Sequence, residues 1–325
     1  MTLRRRLVSV PGLFAVAIVL TATIPLWLPL TALGDLLRGR RRLPITRLLA
    51  FGVCWAWYEV CGVVAAGALW MVGQGRNHAA HYALERWWAA RLINALRHTT
   101  GIAVHTADAD ALAPGPAVIM CRHASLADSL VSAWVVTSVA RMRPLYVLKR
   151  ELLADPCLDI VGNRIPNHFL DRGADDSGAE LAALQQLATG LDERHVAVIF
   201  PEGTRASPSK RARALEKIGE RDPARAERMQ PLRHLLPPRP AGSAALLAGC
   251  PQADVVIAWH VGFDGLDTFG GILRHLSTPP IPVQFHARRV PREQVPSGDD
   301  FTTWLDQQWL MADEAVHQLL HPEGN

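Results

Sequence analysis

Two short stretches of this chain carry residue types suited to chemistry: R-H-A-S-L-A-D at 122–128 and F-P-E-G-T-R at 200–205. Each sits at the end of an apolar, strand-like run, residues 116–120 (PAVIM) and 196–200 (VAVIF). Both motifs therefore belong at the carboxyl ends of buried strands, where open α/β sheets form their ligand crevices. Five residues on a helix rotate a side chain by roughly 500°, so His123 and Asp128 would point about 140° apart and could not share a helical face. With His123 in the loop and Ser125 capping a helix over 126–140, Asp128 falls in the first turn and reaches back to the imidazole. An imidazole oriented by a carboxylate is a general base, suited to taking a proton from a hydroxyl. The sequence contains no G-x-S-x-G elbow, so the attacking alcohol would be the substrate's own.

In the second motif Pro201, Gly203 and Thr204 form a tight turn flanked by Glu202 and Arg205, whose guanidinium can grip a phosphate bidentately. Each motif alone also has an ordinary structural reading. With 13 histidines in 325 residues, an H-x4-D pair arises as a simple contact, and a Pro-Gly turn is a common strand-to-loop connection. Their order and their matched placement after two strands argue for one site.

The two motifs together resemble the lysophosphatidic acid acyltransferase group of membrane-associated glycerolipid acyltransferases, whose first block is H-x4-D and whose third is F-P-E-G-T-R. The second block of that family, an aromatic or aliphatic pair followed by Asp-Arg, is matched by Phe169, Leu170, Asp171 and Arg172. Residues 147–152 (VLKREL) and 235–242 (LLPPRPAG) resemble two further family elements, so the likeness spans about residues 115–260. It implies catalysis by His123 and Asp128, and acceptor binding by Arg172, Glu202, Gly203, Thr204 and Arg205. It also implies acyl-CoA or acyl-carrier-protein as donor and a lysophospholipid as acceptor, with release of a thiol and with no metal or cofactor. Arg122 stands where the family often has Asn, and residues 254–259 (DVVIAW) lack the Pro of its fourth block. The acceptor thus stays open between lysophosphatidic acid, another lysophospholipid, an aminolipid and a glycolipid. A non-catalytic lipid-binding protein on the same fold is the remaining alternative.

The elements that must position these residues follow from periodicity. Strands are expected at 116–120, 145–148, 196–200, 254–260 and 281–286, and helices at about 179–191 and 301–320. This is an α/β fold with a mixed, largely parallel sheet flanked by helices. Residues 7–33 and 48–73 are apolar runs, the second broken only by Glu59, each long enough to cross a bilayer. A membrane-embedded helical anchor at 1–75 is therefore expected to precede an acyltransferase domain at 76–325 that faces the cytosol. Arginines flank both runs on every side, so the anchor either spans or re-enters. Glu59 reads as an interfacial carboxylate, and Trp87 and Trp88 as part of a helix along the headgroups.

Composition fits this division, with 49% hydrophobic residues and a net charge of +4. Residues 206–240 hold nine Lys or Arg against four acidic residues, a basic insertion that either steers anionic substrates or is a solvated helical segment. Nucleic acid is not an expected partner, because no aromatic interleaving accompanies the charge. Five cysteines without C-x-x-C spacing read as reduced structural thiols, Cys121 included. His78 and His81 have ligand-like spacing but no accompanying carboxylates, and read as a helix face.

Overall fold

The strand that leads into the first motif, β2 (Ala117–Cys121), is buried at every residue. Its alternate side chains enter two different cores, as the two-residue period of a strand requires. Ala117, Ile119 and Cys121 face one, Val118 and Met120 the other. In a computed structural model that describes residues 2–171, 177–266 and 268–322, six further strands assemble around it. They are β1 (Val104–Thr106), β3 (Arg143–Lys149), β4 (His168–Leu170), β5 (His195–Ile199), β6 (Asp254–Val261) and β7 (Val283–Val290). The order across the sheet is β1-β7-β6-β2-β5-β3-β4. All pairings are parallel except that of β6 with β7. The expected mixed, largely parallel sheet is thus present.

Helices cover both faces. Four long helices come first: α1 (Thr2–Ala22), α2 (Ile24–Leu37), α3 (Pro44–Met71) and α4 (His78–Thr100). The Asn77 side chain caps α4 by accepting the Ala80 N–H, and Gly101 ends it in the left-handed conformation. With α5 (Asp128–Trp134) and the π-turn Val135–Val139 that extends it, α4 closes the first core. After α6 (Pro156–Ile160), the second core is closed by α7 (Ser177–Ala188), α10 (Pro240–Gly249) and α12 (Asp300–Leu320). Trp309 of α12 is fully buried there, and a side chain of that kind contributes roughly 1.5–3 kcal/mol by leaving water. The basic stretch 206–240 holds α8 (Pro208–Gly219) and α9 (Pro223–Met229), and α11 (Phe269–Ser277) precedes β7. Arg225 and Arg228 both pair with Asp306 of α12, at 2.9 and 3.1 Å, so part of the insertion's charge is structural.

The first apolar run does not form one helix. It breaks at Thr23, where Pro25 can only begin a new helix, giving α1 and α2. An arginine-rich turn follows, and Asp35 Oδ2 accepts the N–H groups of Ile45 and Thr46 at 3.0 and 3.3 Å, capping α3. The Trp57 indole donates to Thr21 Oγ1 at 2.8 Å, so α3 runs back along α1. On its other side α3 is tied to the globular part at both ends. Arg47 Nε donates to the Thr99 carbonyl at 2.9 Å, and Arg164 Nη1 to the Ala66 carbonyl at 2.5 Å. Arg5 and Arg6 of α1 pair with buried Asp159 of α6, at 2.6 and 3.0 Å. By length and composition α1 and α3 could cross a membrane.

Candidate active site

β2 ends at Cys121 and the backbone goes on pairing for one more residue, the Arg122 N–H reaching the Ala258 carbonyl at 2.9 Å. His123 then leaves the sheet edge. Its Nδ1 meets Asp128 Oδ2 at 2.9 Å, and its ring lies 5.0 Å from that of Phe200. The side chain is 16% exposed. With Nδ1–H donated to the carboxylate, Nε2 is the lone-pair nitrogen that can accept a proton.

Asp128 is the most heavily bonded group in the site. Oδ2 also accepts the N–H groups of Ala124 and Ser125 at 2.6 and 2.8 Å, and Oδ1 accepts the Ser125 hydroxyl. Burial alone would raise its pKa, but the imidazoles of His260 and His123 outweigh that and hold the carboxyl well below the usual range. Ser125 does not cap α5 as its position suggested, because the helix starts later, at Asp128 itself. Its hydroxyl instead braces the carboxylate. Cys121 is buried at the end of β2, and burial pushes its thiol up.

The second motif is pinned against the first. The Ala206 N–H donates to the His123 carbonyl at 2.7 Å. Gly203 takes a φ of +73°, open mainly to glycine, and its N–H is spent on the Phe200 carbonyl at 2.9 Å. Glu202 turns inward: Oε1 accepts the His123 N–H at 2.8 Å and Oε2 the Leu236 N–H at 3.0 Å. Burial pushes its carboxyl up to about 8, against those two bonds and nearby Arg122. It is placed to position the loop that carries His123. Thr204 and Arg205 are half-buried beside that loop, and Lys210 Nζ braces the turn through the Arg205 carbonyl at 3.0 Å. The structure thus gathers His123, Asp128, Glu202, Gly203, Thr204 and Arg205. Arg172 lies outside the described residues, while Asp171, next to it, pairs with Arg150.

Two residues acquire roles that the sequence reading did not give them. His260, at the end of what read as a core strand, brings Nε2 to 3.1 Å from Asp128 Oδ1, so the carboxylate lies between two imidazoles. Its only sequence signal was a histidine at the carboxyl end of a strand neighbouring β2. Arg122 does not reach toward an acceptor. Its guanidinium is buried, donating to the His260 carbonyl and pairing with Asp264 at 2.6 Å.

Beside the catalytic loop opens an apolar cavity of about 460 Å³, of the size that takes small ligands. Ser125, Leu126, Ala127 and Leu130 line it near the site, Leu48, Phe51, Trp55 and Glu59 from α3, and Glu85, Trp88, Leu92, Leu96 and Thr100 from α4. From Glu85 to Thr100 the wall runs about 22 Å along α4. Glu59 is not interfacial but fully buried, accepting the Trp88 indole N–H at 2.9 Å. Trp88 faces this cavity rather than headgroups. Burial pushes the Glu85 carboxyl up to about 8.

Residues 102–257 match the family model described as Acyltransferase. No curated protein gives a significant match to the chain. Among solved structures, the chain is similar to the crystal structure of the 1-acyl-sn-glycerophosphate (LPA) acyltransferase PlsC from Thermotoga maritima, with a TM-score of 0.59 and 14% identity. That likeness covers 88% of this chain and all of PlsC, and shows the shared fold. The matched domain carries the His–Asp pair and the Pro-Glu-Gly-Thr-Arg turn, so residues 102–257 form an acyltransferase domain.

Proposed function

We propose that this acyltransferase moves an acyl chain from a thioester, acyl-CoA or acyl-carrier-protein, to the hydroxyl of a lysophospholipid at a membrane surface, lysophosphatidic acid being the acceptor. His123 Nε2 takes the proton from the acceptor hydroxyl, and the alkoxide oxygen attacks the thioester carbonyl. The imidazolium that forms is stabilised by Asp128 at 2.9 Å. The tetrahedral intermediate collapses with loss of the thiolate, which recovers the proton from His123, and a phospholipid and a free thiol remain. Arg205, with Arg172 by family likeness, neutralises the acceptor phosphate, so that binding energy positions the hydroxyl. Glu202 keeps the two loops in register by holding the backbone of His123. The apolar cavity beside the loop receives the acyl chain.

The observation that carries this reading is the bond between the Ala206 N–H and the His123 carbonyl, which puts the Pro-Glu-Gly-Thr-Arg turn directly against an imidazole oriented by a carboxylate. PlsC, which shares the fold, is an LPA acyltransferase by description; this supports the choice of acceptor. The membrane reading rests on the outer face of the α1–α2 arm, where Leu7, Val8, Val19, Leu26, Leu30 and Leu33 are exposed. Since α3 stays against α4 along its length, an arm lying in one leaflet fits better than a span, and it leaves the catalytic edge in the cytosol. The deciding experiment measures thiol release by the protein in lipid, with one acyl-CoA, across lysophosphatidic acid, other lysophospholipids and a neutral alcohol. Release that requires lysophosphatidic acid and is abolished in His123→Ala is expected. Release with a neutral alcohol alone would refute the acceptor, and an unchanged rate in His123→Ala the mechanism.

A further inference from the structure

Three imidazoles that the proposed reaction does not use, from two parts of the chain, meet at the end of α12. His317 lies in the last turn of α12 and His321 just past its end, four residues on. His234 comes to them from the segment after α9. His234 Nε2 stands 3.1 Å from His317 Nδ1, the ring centroids of His317 and His321 are 4.4 Å apart, and those of His234 and His321 6.2 Å. One nitrogen from each ring lies within 4.8 Å of the other two. We propose that His234, His317 and His321 bind a divalent transition metal of the zinc class, which clamps the 233–236 segment onto α12.

Three features favour a metal over a plain imidazole stack. Zn–N bonds of about 2.0–2.1 Å in a tetrahedral site put neighbouring nitrogens roughly 3.3 Å apart, so the His234–His317 pair needs to open by only a few tenths of an ångström. His321 Nδ1 lies 3.1 Å from the His317 carbonyl; donating its proton there leaves Nε2 as a ligand nitrogen, the usual outer-shell bond of a metal-bound histidine. The arriving segment is also fixed in advance. Asp313, buried beneath it, accepts the N–H groups of Arg233, His234 and Leu235 at 2.9, 2.7 and 2.7 Å. Arg233, next to His234 in sequence, is engaged by Glu314, and Asp313 and Glu314 together offset the charge that a metal brings. Imidazole ligands select zinc, copper and nickel over magnesium and calcium.

The clamp bears on the active site through the backbone. Leu236, two residues after His234, donates the N–H that holds Glu202 Oε2 at 3.0 Å, and Glu202 Oε1 holds the His123 N–H. A metal on α12 would therefore stiffen the segment on which the catalytic turn rests, without touching a reacting atom. The test uses full-length, tag-free protein in detergent, stripped with chelator and titrated with zinc, and with cobalt for its visible absorption. Expected are one equivalent bound at micromolar Kd or tighter, tetrahedral cobalt bands, and a Tm raised by several degrees. His234→Gln and His317→Gln should each weaken binding at least tenfold and abolish the Tm rise. His321→Gln, on an exposed helix end whose loss cannot unfold the domain, should do the same with an unchanged circular dichroism spectrum. Zinc binding weaker than millimolar in the unsubstituted protein, or binding that survives His321→Gln and His317→Gln, would overturn the assignment.

Discussion

Replacing Asp128 by Asn removes one charge while leaving most of its bonds in place. Oδ2 takes three N–H donors, from His123, Ala124 and Ser125, so the amide oxygen of Asn must sit there. Its NH2 then replaces Oδ1, opposite the Ser125 hydroxyl and His260 Nε2. Both can turn to accept, the hydroxyl by rotation and the imidazole by changing tautomer. His123 thus keeps its orientation, and the loss is the attraction between carboxylate and imidazolium. For unit charges about 4 Å apart at an effective dielectric near 20 this is about 4 kcal/mol, or about 10³-fold in kcat. The assay is thiol release at saturating donor and acceptor, with KM measured for each. The expectation is a kcat lower by about three orders of magnitude, KM within a few-fold and an unchanged fold by circular dichroism. A kcat within tenfold of the original would refute the reasoning, because it would mean that no imidazolium develops beside Asp128.

Three further outcomes follow from the geometry. Arg122→Met should lower stability by about 2–4 kcal/mol in denaturant, since it leaves Asp264 and the His260 carbonyl without their buried partner, and the ranking of acceptors should not change. A changed ranking at unchanged stability would contradict that. Glu85 titrates near 8 in the fold against an ordinary 4.5; between those values the unfolded chain gives up a proton that the folded one keeps, so stability falls as pH rises from about 4.5 to about 8. Glu85→Leu should remove that penalty, so its advantage over the parent in detergent should grow by about 1 kcal/mol or more from pH 5 to pH 8; a pH-independent difference would count against it. Leu92→Trp, halfway along the cavity wall, should cut kcat/KM for long acyl donors at least tenfold and spare short ones, whereas an unaltered chain-length profile would place the acyl chain elsewhere.

The strands were legible because buried parallel strands are continuous apolar runs. All five expected ones are present within a few residues, while β1 and β4, three residues each, were too short to show a pattern. Both motifs were legible because their residue types are chemically unusual at strand ends. What the spacing could not carry was direction. Arg122 is next to His123 in sequence, yet its side chain points the other way, toward β6, since successive strand residues alternate sides. His260 was hidden because its partner, Asp128, lies 132 positions away, and only the pairing of β6 with β2 brings them together. Glu59 looked interfacial because hydropathy sees a charge in an apolar run and not the indole of Trp88 that meets it.

The position of α3 changes what the first 75 residues are. Leu48, Phe51, Trp55 and Glu59 form one wall of the cavity, and Arg47 and Ala66 tie that wall to the globular part at either end. Cutting the chain near residue 75 would therefore not release a water-soluble enzyme. It would strip one side from the cavity and bare the apolar flank of α4 along about 22 Å, turning a folded catalyst into an aggregating fragment. In this protein the apolar N-terminal segment is also one structural side of the cavity, and the two cannot be engineered apart.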